Sequence, residues 1–352
     1  MNTDASILLR IAQRLHATAD VTVSRVVESD LPSGSGARVR RLSGQVCVHG
    51  SVSDFSVVTK SMPLSGVAAG RTGAAREHRF YTTLAPLVSP LAVPVCYDSV
   101  VENGAVVLFL EDVSAHSEHP TSLSDYALVA RQVGRFNARA TATPDPSWAL
   151  DAPLAAWTRG ATADLLPDIR AVLRESGATA SLTDLLADIV RWRERLLDLV
   201  AALPTVTCHN DLSRRNVFVR REPAPRVSVI DWASIGRCAV GAELSVLIGG
   251  TVFMGDTLPA STEAVERTTL TEYCQGLRDE GCDVDPQTAL KGYAAASSLR
   301  MIRRAFLLRS VRLDPASGEQ WMRRAGCTTD EMVRRFAAWL PRSHRFAQIA
   351  LD

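Results

Sequence analysis

Residues 205–232 read TVTCHNDLSRRNVFVRREPAPRVSVIDW. Polar residues recur in it at telling intervals. Asp211 stands two positions after His209, Asn216 follows five positions later, and Asp231 closes the apolar run 227–230. Thr205, Val206 and Thr207 precede the motif, and Val217, Phe218 and Val219 follow it, which predicts strand, loop, strand with the polar residues in the loop. Asp and Asn also populate loops for turn reasons alone. The decision therefore rests on the spacing and on what surrounds it.

His-x-Asp-x-x-x-x-Asn ahead of a strand ending in Asp is the arrangement that kinases use. A transferring phosphoryl group is heavily negative, so such a site holds Mg²⁺ through oxygen ligands. Asn216 and Asp231 offer such oxygens, and the separate carboxylate of Asp211 can accept a proton from a substrate hydroxyl. HNDLSRRN with VIDW resembles the aminoglycoside phosphotransferase and choline kinase family, the small-molecule branch of the protein-kinase-like fold. The match is specific over residues 206–232 and looser over most of the chain. The resemblance implies Asp211 as catalytic base, Asn216 and Asp231 as Mg²⁺ ligands, and His209 as a brace for the loop. It also implies an α+β, bilobal architecture. Residues 1–112 would form a β-rich nucleotide-binding lobe, and residues 113–352 a mainly helical lobe with the catalytic loop and the acceptor site.

Upstream of the motif, the spacing of Ile7, Leu8, Ile11 and Leu15 predicts an amphipathic first helix. Strands are expected at 21–27, 38–49 and 55–60, with a Gly-containing turn, Gly34-Ser35-Gly36, between the first two. That turn can bring backbone N–H groups to phosphates, or it is simply a hairpin connection. Lys60 ends the third strand. Only Lys60 and Lys291 are lysines in a chain whose other basic residues are arginine, so Lys60 is a candidate for a role that needs its ammonium. Residues 71–87 read as a helix with Phe80, Leu84 and Leu87 on one face. Its EHRFY string resembles the family's Glu-x-x-Phe-Tyr segment, which implies that Glu77 pairs with Lys60 and that Lys60 reaches the α- and β-phosphates of ATP. Residues 93–101 and 105–110 form two further expected strands around the hairpin signal Glu102-Asn103-Gly104. The resemblance places the link between lobes at 110–113, with adenine on backbone groups around Glu111 and Val113.

The rest reads as helix. Ser122 with Asp125 makes a capping box in its Asp form, at the head of a helix with Val129, Val133 and Phe136 on its buried face. Asn137 stands where many relatives have His. Helices are expected at 154–175, at 181–203 (capped by Ser181 and ended by Pro204), at 261–280, at 286–313 and at 318–340. Glu243 opens an apolar helix. It falls where relatives place an Asp supporting the catalytic loop, so a Glu there departs from the pattern and leaves that supporting role open.

Composition narrows the classes. The chain has 352 residues, 46% hydrophobic and 22% charged, with a net charge of +1. Such a balance suits a globular protein and suggests neither a nucleic-acid nor a membrane partner. Seven cysteines without a CxxC pair, and a start lacking the pattern of a secretory signal, lead to an expected cytoplasmic location. His116 and His119 lack a third metal ligand nearby and read as part of a linker. Residues 256–285 are acid-rich and 300–345 Arg-rich. The acids could hold amines of an acceptor or simply form a solvated face balancing the arginines.

The expected function is ATP- and Mg²⁺-dependent phosphorylation of a hydroxyl on a small molecule. An aminoglycoside, a sugar or another natural product would suit the family, in antibiotic resistance or secondary metabolism. The eleven residues between Asp231 and Glu243 are too few for a protein-kinase activation segment. A nucleotide-binding pseudokinase would be expected to lack one of Lys60, Asp211, Asn216 and Asp231, and all are present. A choline or amino-alcohol kinase would need an aromatic site for its ammonium.

Overall fold

The computed structural model describes residues 5–32, 37–64, 73–88, 93–143, 147–159, 165–175, 180–222, 224–314, 319, 322 and 326–352. Gly34 and Gly36, the candidate phosphate turn, lie outside the described residues. The chain forms two compact units: Met1–Glu118 with Phe218–Ala233, and His119–Val217 with Ser234–Asp352.

The first unit is built on an antiparallel sheet of five strands in the order β1-β2-β3-β5-β4. Its strands are β1 (Val21–Leu31), β2 (Arg38–Val48), β3 (Ser51–Pro63), β4 (Cys96–Glu102) and β5 (Ala105–Glu111). β1 runs past the expected 21–27, because Glu28 to Leu31 still find partners in Leu42 to Val39. The hairpin signal is realised with Asn103 and Gly104 both at positive φ, 49° and 71°. That is the backbone of a tight turn matching strand twist. Helix α1 (Ala5–His16) lays Ile11 and Ala12 on a core of Val21, Leu42, Val46, Phe55, Val57, Tyr97, Val107 and Phe109, with Ile7, Leu8 and Leu15 at its edge.

The expected 71–87 helix is irregular. α2 (Gly73–Arg79) passes into a π turn, Phe80–Leu84, and ends as α3 (Ala85–Val88). The π turn begins three residues after Glu77, where the Phe80 ring stacks on Trp232 at 4.0 Å and 12°. Such turns often mark functional positions in helices.

The second unit is helical around a small sheet, β6 (Thr205–Cys208) with β7 (Gly236–Ala239). α4 (Leu123–Thr141) has its capping box, with Ser122 Oγ accepting from Asp125 N and Asp125 accepting from Ser122 N. α10 (Thr262–Asp279) packs against α4 at two glycines. A Cβ on Gly134 would fall 2.3 Å from the Tyr273 carbonyl oxygen, and one on Gly276 would fall 2.0 Å from that of Arg131. Only glycine lets the backbones approach so closely.

Three helix readings need correction. The expected 154–175 helix is two, α5 (Pro153–Thr158) and α6 (Leu165–Glu175), since Arg159 leaves helical geometry at ψ 128°. Ser181 does not cap. It lies inside α7 (Ala180–Arg191), which α8 (Arg193–Ala202) continues almost without a break, and Leu203 ends the run in extended geometry before Pro204. The last helix does not stop at residue 340. α12 (Thr329–Leu351) starts from a Thr328–Glu331 capping box and runs through Pro341. Burial explains the tolerance: Leu340, Phe346, Ala347 and Ala350 are buried on both sides of the proline, and packing can offset a lost backbone bond.

Candidate active site

In the first unit, β3 delivers Lys60 to the interior, opposite α2. Its Nζ lies 2.7 and 3.0 Å from the two carboxylate oxygens of Glu77 and 2.7 Å from Asp231 Oδ1. Glu77 is fully buried, Lys60 is 7% exposed, and the Asp231 side chain is more open. Burial works against the Lys60 charge, but the two carboxylates outweigh it and hold the ammonium above its ordinary 10.5. Burial likewise pushes the Glu77 carboxyl up, against the pull of Lys60.

The segment carrying Asp231 belongs to this unit because it is anchored to α2. Trp232 N donates to Glu77 Oε1, and Arg76 Nε donates to the Ala233 carbonyl at 2.9 Å. Asp231 sits at φ 67°, a left-handed geometry that Asp tolerates better than most residues. At the end of β5, the Glu111 N–H is taken by the Val95 carbonyl, and its carboxylate receives a two-pronged bond from Arg226 at 2.9 and 2.8 Å. Val113 is buried in a short turn with Asp112 before it. Asp112 accepts from Arg41, Ser56 and Ser114.

In the second unit, residues 209–216 form the loop after β6. Asn210 is at φ 65°, a left-handed geometry that Asn tolerates better than most residues. His209 is buried, and its Nδ1 accepts from the Asp211 N–H at 3.1 Å, so it holds the loop backbone. Asp211 itself is exposed. Asn216 donates its amide nitrogen to the Asp211 carbonyl at 2.8 Å and to Asp211 Oδ2 at 3.3 Å. The Asn216 amide oxygen is therefore the atom that would take a cation. That oxygen and, in the first unit, the Asp231 carboxylate are each hard oxygen donors of the kind that suits Mg²⁺.

Glu243, just before α9 (Leu244–Phe253), organises this loop. One oxygen accepts from the N–H groups of His209 and Asn210 at 2.5 and 3.1 Å, and the other accepts from Asn137 Nδ2 at 3.0 Å. Burial pushes the Glu243 carboxyl up, and these donors counter the push. Asn137 also donates to the Thr207 carbonyl and accepts from the Tyr273 hydroxyl at 2.8 Å. Arg300, on α11 (Pro286–Leu313), donates to the Asn210 carbonyl and to Ser245 Oγ.

Tyr273 and Arg300 went unnoticed in the sequence. Arg300 had a signal, a single charge inside the apolar stretch AAASSLRMI. Tyr273 had none, since one tyrosine on an amphipathic helix is ordinary. His119 Nδ1 bonds the Val217 carbonyl, and no metal-binding cluster of His, Cys, Asp and Glu occurs among the described residues.

Six acids of the acid-rich stretch pair with arginines of their own unit. Asp256 pairs with Arg214 and Arg215, Glu263 and Glu266 with Arg342, Glu272 and Asp279 with Arg131, and Glu280 with Arg135 and Arg139.

A family model described as the phosphotransferase enzyme family, APH, matches residues 65–277. The chain belongs to that family. It is a small-molecule kinase, a phosphotransferase acting on hydroxyl groups, with the protein-kinase-like α+β fold: β-rich first unit, helical second. An aminoglycoside phosphotransferase from Alicyclobacillus acidocaldarius is similar in fold, with TM-score 0.52 and 12% identity over 92% of this chain and 93% of that one. Amicoumacin kinase, in a complex with AMP-PNP, Ca²⁺ and its substrate, gives TM-score 0.51 and 12% identity over 92% and 95%. Comparison with curated protein sequences finds no match. Among the described residues no helix is long and apolar enough to cross a membrane.

Proposed function

We propose that this kinase transfers the γ-phosphoryl group of ATP to a hydroxyl of a small natural product or sugar. The observation that carries the reading is the buried Lys60 ammonium held by Glu77 and Asp231. A strand lysine fixed by a helix glutamate is the phosphate-orienting device of kinase-like enzymes. Residues 1–112 would bind the nucleotide, with adenine on the backbone around Glu111 and Val113, and residues 113–352 would supply the catalytic loop and acceptor site. Natural-product acceptors draw support from the amicoumacin kinase likeness in fold. An antibiotic-resistance role in a reducing cytoplasm would suit the seven free cysteines.

In this mechanism Lys60 neutralises and orients the α- and β-phosphates, and Glu77 keeps it extended. Asp211 accepts the proton of the acceptor hydroxyl as its oxygen attacks. Asn216 and Asp231 would hold Mg²⁺, which would spread the negative charge of the phosphates. His209 and Glu243 fix the backbone that presents Asp211. Incubating the purified chain with ATP, Mg²⁺ and a panel of hydroxylated metabolites, and reading ADP release, tests the proposal. Turnover abolished in Lys60→Met would support it. Turnover of no panel member, with no ATP binding by calorimetry, would sink it.

A further inference from the structure

Helix α11 carries Arg300, Arg303 and Arg304 within five residues, and these do not share one fate. Arg300 is buried and committed to Asn210 and Ser245, so it is part of the scaffold. Arg303, one turn on, is exposed, with its guanidinium carbon 4.3 Å from the Trp157 ring centroid. Arg304 lies over the Phe253 ring at 4.7 Å, with a weak contact to Met301 Sδ. Among the described residues neither Arg303 nor Arg304 has a carboxylate partner. Further along the same helix Arg309 does find one, Asp168 at 2.6 Å.

Burial and the neighbouring cations push the Arg304 guanidinium down to about 9. The carboxylate that acts on Arg303 in the opposite sense is Asp211. Asp211 is exposed, and its neighbour Asn210 is pinned by Arg300, one turn before Arg303 on the same helix. Six of the eight acids between 256 and 285, which could have attracted an amine, are already engaged by Arg131, Arg135, Arg139, Arg214, Arg215 and Arg342. An aromatic floor under a guanidinium with open donors is a seat for a carboxylate or phosphate oxygen pair.

We propose that the acceptor is an anion, with its carboxylate or phosphate group held by Arg303 and Arg304 while its hydroxyl meets Asp211. This rests on the kinase reading and sharpens it from any small hydroxyl compound to a hydroxy acid or sugar phosphate. The Trp157 ring would stack against the acceptor's edge and keep Arg303 extended.

The test is ADP release by the full chain from ATP and Mg²⁺ with matched acceptors: gluconate and glucose 6-phosphate, glucose, and glucosamine. Turnover of an anionic member is expected, with KM raised about tenfold in Arg303→Met, kcat nearly kept, and KM rising with salt. The methionine keeps a flexible stem over Trp157, and circular dichroism checks its fold. Turnover confined to glucose or glucosamine, or an unchanged KM in the variant, overturns the inference and leaves the kinase reading standing. If none releases ADP, the anion seat is judged by calorimetry with inorganic phosphate, and the kinase reading by ATP binding. Binding lost in Arg303→Met upholds the seat, and binding that is absent or equal in both proteins overturns it.

Discussion

The first unit holds a buried cation between carboxylates, while the second holds a buried carboxylate among hydrogen-bond donors. Lys60 is fixed by Glu77 and Asp231, charge against charge. Glu243 is fixed by two backbone N–H groups and the Asn137 amide, with Arg300 bonded to the same loop. The difference concerns what each part must do. A lysine that meets phosphate has to keep its charge in an interior, which needs anions at contact distance. A loop that presents a base has to keep its shape, which needs directional bonds to the backbone. The two parts should therefore fail differently when changed.

The largest expected effect is Asp211→Asn. The side chain keeps its size but loses the proton acceptor, so kcat should fall by about 10²–10⁴-fold. Nucleotide affinity should hold, because the contacts of the Lys60 cluster are untouched. Steady-state rates and ATP titrations of the variant check both halves. A rate within threefold or so of wild type would remove Asp211 from the role of base.

Next come Glu243→Ala and Glu77→Ala, which set the two parts directly against each other. Removing Glu243 leaves the N–H groups of His209 and Asn210 and the Asn137 amide buried without that acceptor. At about 1–3 kcal/mol for an orphaned buried group, the loss should reach several kcal/mol. Removing Glu77 leaves Lys60 its bond to Asp231, so the loss should be smaller, near the lower end of about 3–5 kcal/mol for a broken buried pair. Urea denaturation of both variants decides the order. If Glu77→Ala proves the more damaging, charge and not directional bonding dominates the fold.

The same contrast governs what could be read beforehand. Lys60, Glu77, Asp211, Asn216 and Asp231 stood out because charge types at fixed spacing leave a mark in one dimension. The strands of the first unit were legible for the same reason: alternation and the Asn103-Gly104 turn are local. The support of the loop was not. Asn137, Tyr273 and Arg300 come from three helices far apart in sequence, and nothing local says that they meet at one loop. The continuation of α12 through Pro341 was hidden too, since the proline rule is local and the packing that overrides it is not.

Gly276→Ala should cost less, about 1–3 kcal/mol, the usual penalty for overpacking a tight contact. Its Cβ would meet the Arg131 carbonyl oxygen at 2.0 Å, so α10 and α4 must separate. Because these helices hold Tyr273 and Asn137, the Tyr273–Asn137 bond should weaken with the packing. A drop in melting temperature with an equal loss in kcat would tie helix packing to loop shape. A lower melting temperature with unchanged kcat would separate them.

The smallest effect is on pH dependence, and its sign distinguishes burial from charge at Lys60. Burial alone would lower the ammonium's proton affinity, whereas the paired carboxylates raise it above the ordinary 10.5. A raised folded value means that the folded chain binds this proton more tightly than the unfolded chain. The stabilisation is then fully present below 10.5 and is lost as pH rises through the folded value. The stability difference between wild type and Lys60→Met should be steady up to that point and narrow beyond it. Comparing the two proteins at each pH cancels the titration of tyrosines and of Lys291, which both carry. Urea midpoints between pH 8 and 11, or about that window, provide the measurement. A difference that instead moves in favour of wild type as pH rises towards 10.5 would mean that burial outweighs Glu77 and Asp231. The first unit would then hold its cation despite the interior, with less help from its carboxylates than their contact distances suggest.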